Sequence, residues 1–183
     1  TLPRHFFFDT ALISHAYEDK AFPIGEGQTI SQPYTVAFQS TLLEVTPGDK
    51  ILEIGTGSGY QACILHLLGA EVITIEYQKK LFEHTGRFLQ RLGIQLQLFY
   101  GDGTGGIPAH APYDKIIVTA GAPVVPEALI QQLKIGGILV IPVGDRSKQA
   151  MVKITKKSAT EIQREEFEGF AFVPLLGKDG WNS

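Results

Sequence analysis

The fold of this chain is decided by the stretch Leu52-Glu53-Ile54-Gly55-Thr56-Gly57-Ser58-Gly59-Tyr60. An apolar strand pattern runs through Glu53 and Ile54, glycines follow at alternate positions, and a helical pattern begins immediately afterwards. Glycine has no Cβ and tolerates positive φ, so it permits a turn in which the backbone closely approaches a ligand. The stretch therefore predicts a strand, a tight turn and a helix, with a ligand held at the turn.

A second marker lies at the end of the next strand pattern. Glu71-Val72-Ile73-Thr74-Ile75 runs into Glu76, which lies 21 residues after Gly55. In nucleotide-binding sheets, an acid about 20 residues after the glycine turn accepts hydrogen bonds from the ribose hydroxyls. The sequence thus predicts an adenosine-bearing cofactor whose ribose is held by Glu76.

The glycine turn also indicates which cofactor this is. The dinucleotide fingerprint G-x-G-x-x-G/A would need a small residue where this chain has Tyr60. A pyrophosphate needs an open helix N-terminus, whereas Glu53 places an acid beside the glycines. Such an acid suits a ligand with ammonium and sulfonium groups, which favours S-adenosylmethionine. A nicotinamide-dependent oxidoreductase is the disfavoured alternative.

A third strand pattern, Gln95-Leu96-Gln97-Leu98-Phe99-Tyr100, runs into Gly101-Asp102-Gly103. Ligands of doubly wound sheets lie beyond the carboxyl ends of the strands. We therefore expect Asp102 to accept a hydrogen bond from the exocyclic amine of adenine. The alternative, an Asp-Gly turn without a ligand, is common, but the two preceding strand ends favour the ligand.

Composition limits the remaining possibilities. The 183 residues and 20.0 kDa suit a single α/β domain. A net charge of −3 and the lack of a long basic run argue against duplex nucleic acid as a partner. No apolar stretch approaches the ~18 residues of a membrane span, and no signal-peptide pattern is present. These features favour a cytoplasmic setting without a membrane partner; a monomer is expected, although the sequence contains no direct signal for the oligomeric state.

Histidine and cysteine do not indicate a metal site or a disulfide. The histidines His5, His15, His66, His84 and His110 are scattered without metal-ligand spacing, and Cys63 is the single cysteine. We expect no metal and a packing role for Cys63. The chain opens at Thr1 rather than at Met, so we expect its amino end to be processed or incompletely represented.

Hydrophobic periodicity predicts alternating strands and helices after an irregular stretch at 1–30. A helix is expected from about Pro33 to Leu43, because proline suits the first turn of a helix. The fold class is α/β, with a doubly wound, mostly parallel sheet of the S-adenosylmethionine-dependent methyltransferase type and an antiparallel C-terminal hairpin. The further predicted elements are strand 50–54, helix 59–68, strand 71–75, helix 79–92, strand 94–100, strand 114–119, helix 126–133, strand 137–142, and the hairpin strands 149–156 and 161–173.

The segment Pro23 to Tyr34 is rich in small and hydroxyl residues and precedes the first strand of the predicted sheet. A loop of this kind can fold over the cofactor. Ser31, just before Pro33, is equally suited to cap the following helix, so a role in the site does not follow from Ser31 alone.

Through this segment and the glycine turn, the chain resembles the protein-L-isoaspartate (D-aspartate) O-methyltransferase family. The run Gln28 to Pro33 is the most diagnostic match, because generic methyltransferases lack it. Phe38-Gln39-Ser40 and Gly121 depart from the family pattern, and the usual helix before Pro3 is missing. The matching stretches are Pro3 to Phe6, Ala16-Tyr17, Pro23 to Gly25, Gln28 to Tyr34, Glu53 to Gln61, Gly101 to Gly103, Ala111 to Asp114, Val118 to Ala120 and Phe172 to Leu175.

The resemblance implies methyl transfer from S-adenosylmethionine, giving S-adenosylhomocysteine, to the carboxylate of L-isoaspartyl and D-aspartyl residues, which initiates protein repair. It implies one methyltransferase domain over 1–183, with a substrate or lid segment at 1–33, a cofactor-binding core at 34–145 and C-terminal strands with the substrate groove at 146–183. Ser31 is the expected catalytic residue. The expected substrate-binding residues are Gly25, Thr29, Ile30, Ser31, Val173, Pro174 and Leu175; the expected cofactor-binding residues are Glu53, Gly55, Thr56, Gly57, Gly59, Glu76, Tyr77, Gly101, Asp102, Gly103 and Thr119.

The implied chemistry agrees with the residues. An aspartyl-type carboxylate, with an ordinary pKa of about 3.9, is already ionised at neutral pH, so no general base is needed, and no His/Asp pair stands beside the motifs. Two alternatives stay open. One is a methyltransferase acting on a small acid or on RNA; the other is a cofactor-binding module that has lost catalysis.

Overall fold

The computed structural model describes residues 2–181 of the chain. Short 3₁₀ helices cover Arg4–Phe7, Thr10–His15 and Pro108–His110. The other elements, in chain order, are β1 (Phe22–Gly25), β2 (Gln28–Ile30), α1 (Pro33–Leu43), β3 (Lys50–Ile54), α2 (Tyr60–Leu67), β4 (Glu71–Glu76), α3 (Lys79–Arg91), β5 (Gln97–Tyr100), β6 (Tyr113–Val118), α4 (Glu127–Gln131), β7 (Leu133–Gly144), β8 (Gln149–Lys156) and β9 (Ile162–Phe170).

The main sheet has seven strands in the order β5-β4-β3-β6-β7-β8-β9. Strands β5, β4, β3, β6 and β7 are parallel neighbours, whereas β8 runs antiparallel to both β7 and β9. The strand order reverses between β3 and β6, which is where ligands bind in doubly wound sheets. The predicted fold class and the antiparallel C-terminal hairpin are confirmed.

The core lies on both faces of this sheet. Side chains alternate along a strand, so Leu52 and Ile54 of β3 belong to one buried cluster and Ile51 to the other. Helix α4 contributes Leu129 to the first cluster, whereas α2 contributes Leu65 to the second. Burial on both faces explains why the central strands are almost continuously apolar.

The structure differs from the predicted elements mainly at the ends of individual elements. The predicted helix 126–133 ends at Gln131, and β7 covers Leu133–Gly144 rather than 137–142. Helix α1 and strand β3 have the predicted bounds, but β5 begins at Gln97 rather than 94, and β9 ends at Phe170 rather than 173. The stretch predicted to be irregular contains two 3₁₀ helices and the β1–β2 hairpin. Its turn has positive φ at Gly25, Glu26 and Gly27, which allows a reversal between two very short strands.

Two segments outside the sheet fold over the carboxyl ends of its strands. The first, residues 2–32, is called the N-terminal cover; Arg4 ties it together by donating to the carbonyls of Ala16 and Ser31, both at 2.8 Å. The second, residues 171–181, is called the C-terminal cover. Its Val173 and Leu175 bond to the backbone of Gly121, and the indole N–H of Trp181 donates to the Gly121 carbonyl at 3.0 Å.

Within residues 2–181, no helix is both long and apolar enough to cross a membrane. The same residues contain no group of three or more histidine, cysteine or acidic side chains that could hold a metal ion.

Candidate functional site

The glycine turn is held tightly against its neighbours. Gly55 has φ +95°, its N–H donates to the Ile75 carbonyl at 2.9 Å, and its carbonyl accepts the Thr119 hydroxyl at 2.6 Å. A Cβ built on Gly55 would lie 2.6 Å from Thr119 Oγ1. Only glycine therefore fits here, and Thr119, from the end of the adjacent strand β6, fixes the path of the turn.

Glu76 ends β4 and faces the same turn. Its carboxylate accepts the N–H of Gly57 through Oε2 and the N–H of Gln78 through Oε1, both at 2.8 Å. Burial raises the pKa of Glu76, and the backbone donors act in the opposite direction. A carboxylate has about four acceptor positions, so acceptor capacity remains beyond these two bonds.

These elements line the strand-end cleft, whose empty space of about 540 Å³ is continuous with the solvent. Its lining combines residues with carboxylate, hydroxyl and amide groups and residues with branched apolar side chains. The cleft is lined by Gln28, Thr29, Ile54, Gly55, Gly57, Ile75, Glu76, Tyr77, Gln78, Gly103, Thr119, Ala120, Val173, Pro174, Leu175 and Leu176.

A smaller cavity, the serine pocket, adjoins the cleft and shares Thr29, Gly55, Gly57 and Thr119 with it. Its empty space of about 330 Å³ is also open to solvent, and its further lining residues are Ile30, Ser31, Val36, Thr56, Ser58, Tyr60 and Gln61. Ser31 does not cap α1: the N-cap is Gln32, and the N–H of Tyr34 is accepted by Asp19 at 2.9 Å. The helix-cap interpretation of Ser31 is therefore wrong, and its side chain instead lines a cavity.

The structure does not bring Glu53 to either cavity. Its carboxyl is fully buried; Oε2 accepts the Thr74 hydroxyl at 2.5 Å, which in turn lies 2.7 Å from the Thr56 hydroxyl. Oε1 has no partner, and burial raises the pKa of Glu53 to about 8. Burial thus favours the neutral form of Glu53, which supports the turn through Thr74 and Thr56, and a direct ligand contact stays a prediction.

The carboxylate of Asp102 is likewise hydrogen-bonded to other parts of the protein. It accepts the N–H and hydroxyl of Thr104 at 2.9 and 2.7 Å, and the N–H of Lys178 at 2.8 Å. Although burial opposes it, this donor set holds the pKa of Asp102 below its usual value. Asp102 thus anchors the C-terminal cover, while its predicted contact with adenine stays untested.

Some of the other predicted residues line a cavity and others do not. Gly103 lines the cleft, and a Cβ there would lie 2.6 Å from Ile54 Cγ2. Gly25, Gly59 and Gly101 line neither cavity; Gly59, with φ +83°, is the N-cap residue of α2. Sequence reasoning missed Gln28, Gln78, Leu176, Tyr60 and Gln61. Gln78 could have been found, because it lies two residues after the acid at the end of β4.

Comparisons with known proteins agree with this geometry. A family model described as protein-L-isoaspartate(D-aspartate) O-methyltransferase matches residues 1–180. The chain belongs to this family. The family is one of S-adenosylmethionine-dependent methyltransferases, so the predicted recognition, enzyme class and methyl donor are confirmed.

Relatives named protein-L-isoaspartate O-methyltransferase agree over nearly the whole chain. One from Cytophaga hutchinsonii is 59% identical, with 100% of this chain aligned to 82% of that protein. One from Chlorobaculum tepidum is 52% identical, covering 99% of this chain and 85% of the relative.

Solved structures agree with the fold. A structure of a protein-L-isoaspartate O-methyltransferase has a TM-score of 0.84 at 30% identity; the alignment covers 98% of this chain and 59% of that one. A Plasmodium falciparum structure, described as a putative protein-L-isoaspartate O-methyltransferase in complex with S-adenosyl-L-homocysteine, has a TM-score of 0.78 at 26% identity, covering 94% and 85%.

The strand-end cleft suits the family's methyl donor. Positions 55 and 103 have no room for a Cβ, because Thr119 and Ile54 already occupy that space, so the backbone of the cleft packs closely against the sheet. Glu76 offers acceptors for hydroxyl groups, and the apolar side chains of Ile54 and Ile75 in the lining suit a flat ring. The residues present therefore fit an adenosine-bearing cofactor.

Proposed function

We propose that this chain methylates the free carboxylate of L-isoaspartyl residues, and of D-aspartyl residues, in damaged peptides and proteins, which initiates their repair. The observation that carries the proposal is the adjacency of the two cavities. The cleft that suits the cofactor and the pocket that contains Ser31 share Thr29, Gly55, Gly57 and Thr119 as walls. Two reactants bound side by side would meet across this shared wall.

On the cofactor side, we assign Glu76 to the ribose hydroxyls, the glycine turn to close backbone contact, and Gly103, Tyr77 and Thr119 to the surrounding wall. S-adenosylmethionine supplies an electrophilic methyl group. Glu53, Thr56, Gly59, Gly101 and Asp102 support this arrangement through the turn, α2 and the C-terminal cover, and any direct contact of theirs with the cofactor stays a prediction.

On the acceptor side, we assign Ser31 as the catalytic residue. Its hydroxyl would donate a hydrogen bond to one oxygen of the carboxylate and aim the other oxygen at the methyl group. Thr29 and Ile30 line the same pocket. Alignment of two reactants can supply about 7–11 kcal/mol of a reaction barrier, so no general base is required for an acceptor that is already charged.

The peptide chain on either side of the acceptor needs an open groove. Val173, Pro174 and Leu175 of the C-terminal cover line the cleft, and Gly25 lies at the exposed turn of the β1–β2 hairpin. We propose that these residues contact the substrate backbone. The division into a lid segment at 1–33, a core at 34–145 and a groove segment at 146–183, the monomeric state, the cytoplasmic location and the lack of a nucleic-acid partner remain predictions.

One assay tests the proposal. Purified protein is incubated with methyl-labelled S-adenosylmethionine and either an isoaspartyl peptide or its normal L-aspartyl twin. We expect base-labile label on the isoaspartyl peptide only. Equal labelling of both peptides, or transfer to RNA or to a small acid instead, would refute the substrate assignment. Binding of the donor without any transfer would support a module that has lost catalysis.

A further inference from the structure

Arg4 is a buried cation in the N-terminal cover. Its side chain is only 1% exposed, Nε donates to the Ala16 carbonyl, and Nη2 donates to the Ser31 carbonyl, each at 2.8 Å. Nη1 is buried with no hydrogen-bond partner. The guanidinium is thus satisfied in part by neutral carbonyl groups.

No carboxylate neutralises this charge. Among residues 2–181, none forms an ion pair with Arg4 within 4.0 Å. Asp19 interacts with Arg4 only at longer range, and its carboxylate is exposed and accepts the Tyr34 N–H. Burial lowers the pKa of Arg4, but arginine stays protonated in proteins. The rings of Tyr60 and Phe8, whose centroids lie 4.9 and 5.3 Å from the guanidinium carbon, compensate the charge only in part. Because a buried charge without an anionic partner is costly, its presence calls for a reason.

The position of the charge supplies that reason. The guanidinium carbon lies 4.9 Å from the ring centroid of Tyr60 and bonds through Nη2 to the backbone of Ser31. Both Ser31 and Tyr60 line the serine pocket. The cation therefore lies directly behind the wall of the cavity assigned to the methyl acceptor, which carries a negative charge.

We propose that Arg4 is a positioning residue whose positive charge attracts the free carboxylate of the substrate into the serine pocket, acting from behind Ser31 and Tyr60. The inference rests on the proposed function for the charge of the acceptor. The substrate carboxylate is then the counter-ion that the buried guanidinium lacks in the unliganded protein.

The attraction between Arg4 and the carboxylate should affect KM and kcat differently. Methyl transfer joins an anionic acceptor to a cationic donor and yields neutral products, so the acceptor's charge disappears as the reaction proceeds. A fixed cation stabilises the bound carboxylate more than the transition state. Losing the charge of Arg4 should therefore raise KM for the peptide, while the charge itself does not increase kcat.

The test compares two peptides that differ in one charge: an isoaspartyl peptide, and its twin in which a carboxamide replaces the free carboxylate. Binding to protein saturated with S-adenosylhomocysteine is measured by calorimetry, which requires no turnover. The variants are Arg4→Met, which removes the charge, and Arg4→Lys, which keeps it. Arg87→Met is the matched control, because Arg87 is exposed on α3.

A buried unit charge that acts on the carboxylate through a partly solvated site should change the affinity by at least about tenfold. We expect Arg4→Met to weaken the carboxylate peptide by this factor and to leave the carboxamide twin unchanged, whereas Arg4→Lys and Arg87→Met keep the wild-type preference. Equal weakening of both peptides would mean that Arg4 only supports the fold, and would overturn the proposal.

A measurement on the wild-type protein applies even where Arg4→Met does not fold. Salt screens exposed charges strongly and buried ones weakly, so the preference for the carboxylate should change less than about twofold between low and high salt. Loss of the preference at high salt, or its absence at any salt, would overturn the role of Arg4. Methylation of the isoaspartyl peptide would still leave the proposed function intact; failure to bind that peptide at all would refute both.

Discussion

The strand-end cleft and the two covers are built in different ways. The cleft is bounded by residues at the ends of neighbouring strands, which are bonded directly to one another: Gly57 to Glu76, and Thr119 to Gly55. The covers lie outside the sheet. Arg4 binds Ser31 within the N-terminal cover, whereas the C-terminal cover is held to the core by backbone bonds to Gly121 and by the bond from the Lys178 N–H to Asp102. The cofactor side of the site is thus built mainly on the sheet, whereas the acceptor side depends more on the N-terminal cover.

This difference separates the effects of substitutions. A change at the strand ends should weaken cofactor binding directly, because these residues line the cleft. A change in the covers should leave cofactor binding intact and alter turnover or peptide affinity. The predictions below test this separation.

Gly55→Ala should have the largest effect. The new methyl group would meet Thr119 Oγ1, and φ +95° is strained for alanine. We expect S-adenosylmethionine affinity to fall more than about a hundredfold, measured by calorimetry. Gly136→Ala is the control, because Gly136 has φ +84° but open space around it. Equal loss in both variants would show that backbone strain, and not closure of the cleft, is responsible.

Glu53→Gln should remove a pH dependence of stability. In the wild type this dependence should amount to about a hundredfold change in the folding constant over two pH units. The folded-state pKa is raised to about 8, whereas an unfolded glutamate titrates near ~4.3. Between these values the folded state keeps a proton that the unfolded state releases. Stability of the unliganded wild type should therefore be highest below the unfolded pKa and fall by about 1.4 kcal/mol per pH unit as pH rises through this window.

In Glu53→Gln this decline should flatten, as measured by urea unfolding at pH 5.5 and 7.5. Glu71→Gln, at the exposed start of β4, should keep the wild-type slope. Identical slopes for wild type and Glu53→Gln would show that Glu53 is ionised in the folded protein.

Glu76→Gln should weaken cofactor affinity about thirtyfold, since hydrogen bonds to a charged acceptor contribute more than neutral ones. The amide also places an NH₂ group where the Gly57 or Gln78 N–H now donates. Calorimetric titration with S-adenosylmethionine measures the effect. Unchanged affinity would exclude Glu76 as the ribose ligand.

Ser31→Ala tests the N-terminal cover. We expect kcat for the isoaspartyl peptide to fall about tenfold through loss of one hydrogen bond, with cofactor affinity unchanged. Ser14→Ala, at an exposed position in the same cover, should keep wild-type turnover. A full kcat in Ser31→Ala would remove Ser31 from the mechanism.

Asp102→Ala should have the smallest effect. The C-terminal cover would lose its bond to the Lys178 N–H, while Val173 and Leu175 would stay bonded to Gly121. We expect KM for the peptide to rise about threefold, as the cost of one partly exposed hydrogen bond. Asp49→Ala, in the turn before β3, is the control. A large loss of cofactor affinity instead would support the predicted contact of Asp102 with adenine.

The part of the fold that could be predicted is the part encoded by local patterns. Strand β3 and helix α1 were predicted at their observed bounds, because an apolar run followed by glycines, and a proline at a helix start, are local signals. The hairpin of β1 and β2 was missed, since strands of four and three residues are too short to show alternation. Their position is instead visible only in the tertiary packing: Ile24 Cδ1 lies 3.3 Å from where a Cβ built on Gly57 would be.

The site was predicted to the same extent. Gly55, Glu76 and Thr119 line the strand-end cleft, because the ends of neighbouring strands meet at one edge of the sheet. The burial of Glu53 and the binding of Asp102 to the C-terminal cover could not be predicted, since both depend on tertiary partners. The acid that follows a strand pattern can face either a ligand or the interior, and the sequence pattern is the same in both cases.

Trp181 gives the protein an optical probe in one of its two covers. It is the only tryptophan of the chain, and its indole N–H is bonded to Gly121 beside the cleft. Its ring also lies 5.2 Å from the guanidinium carbon of Arg146. When tryptophan is excited selectively, the fluorescence therefore comes from the C-terminal cover alone. Changes in its emission maximum or in its quenching then report on that segment without any added label.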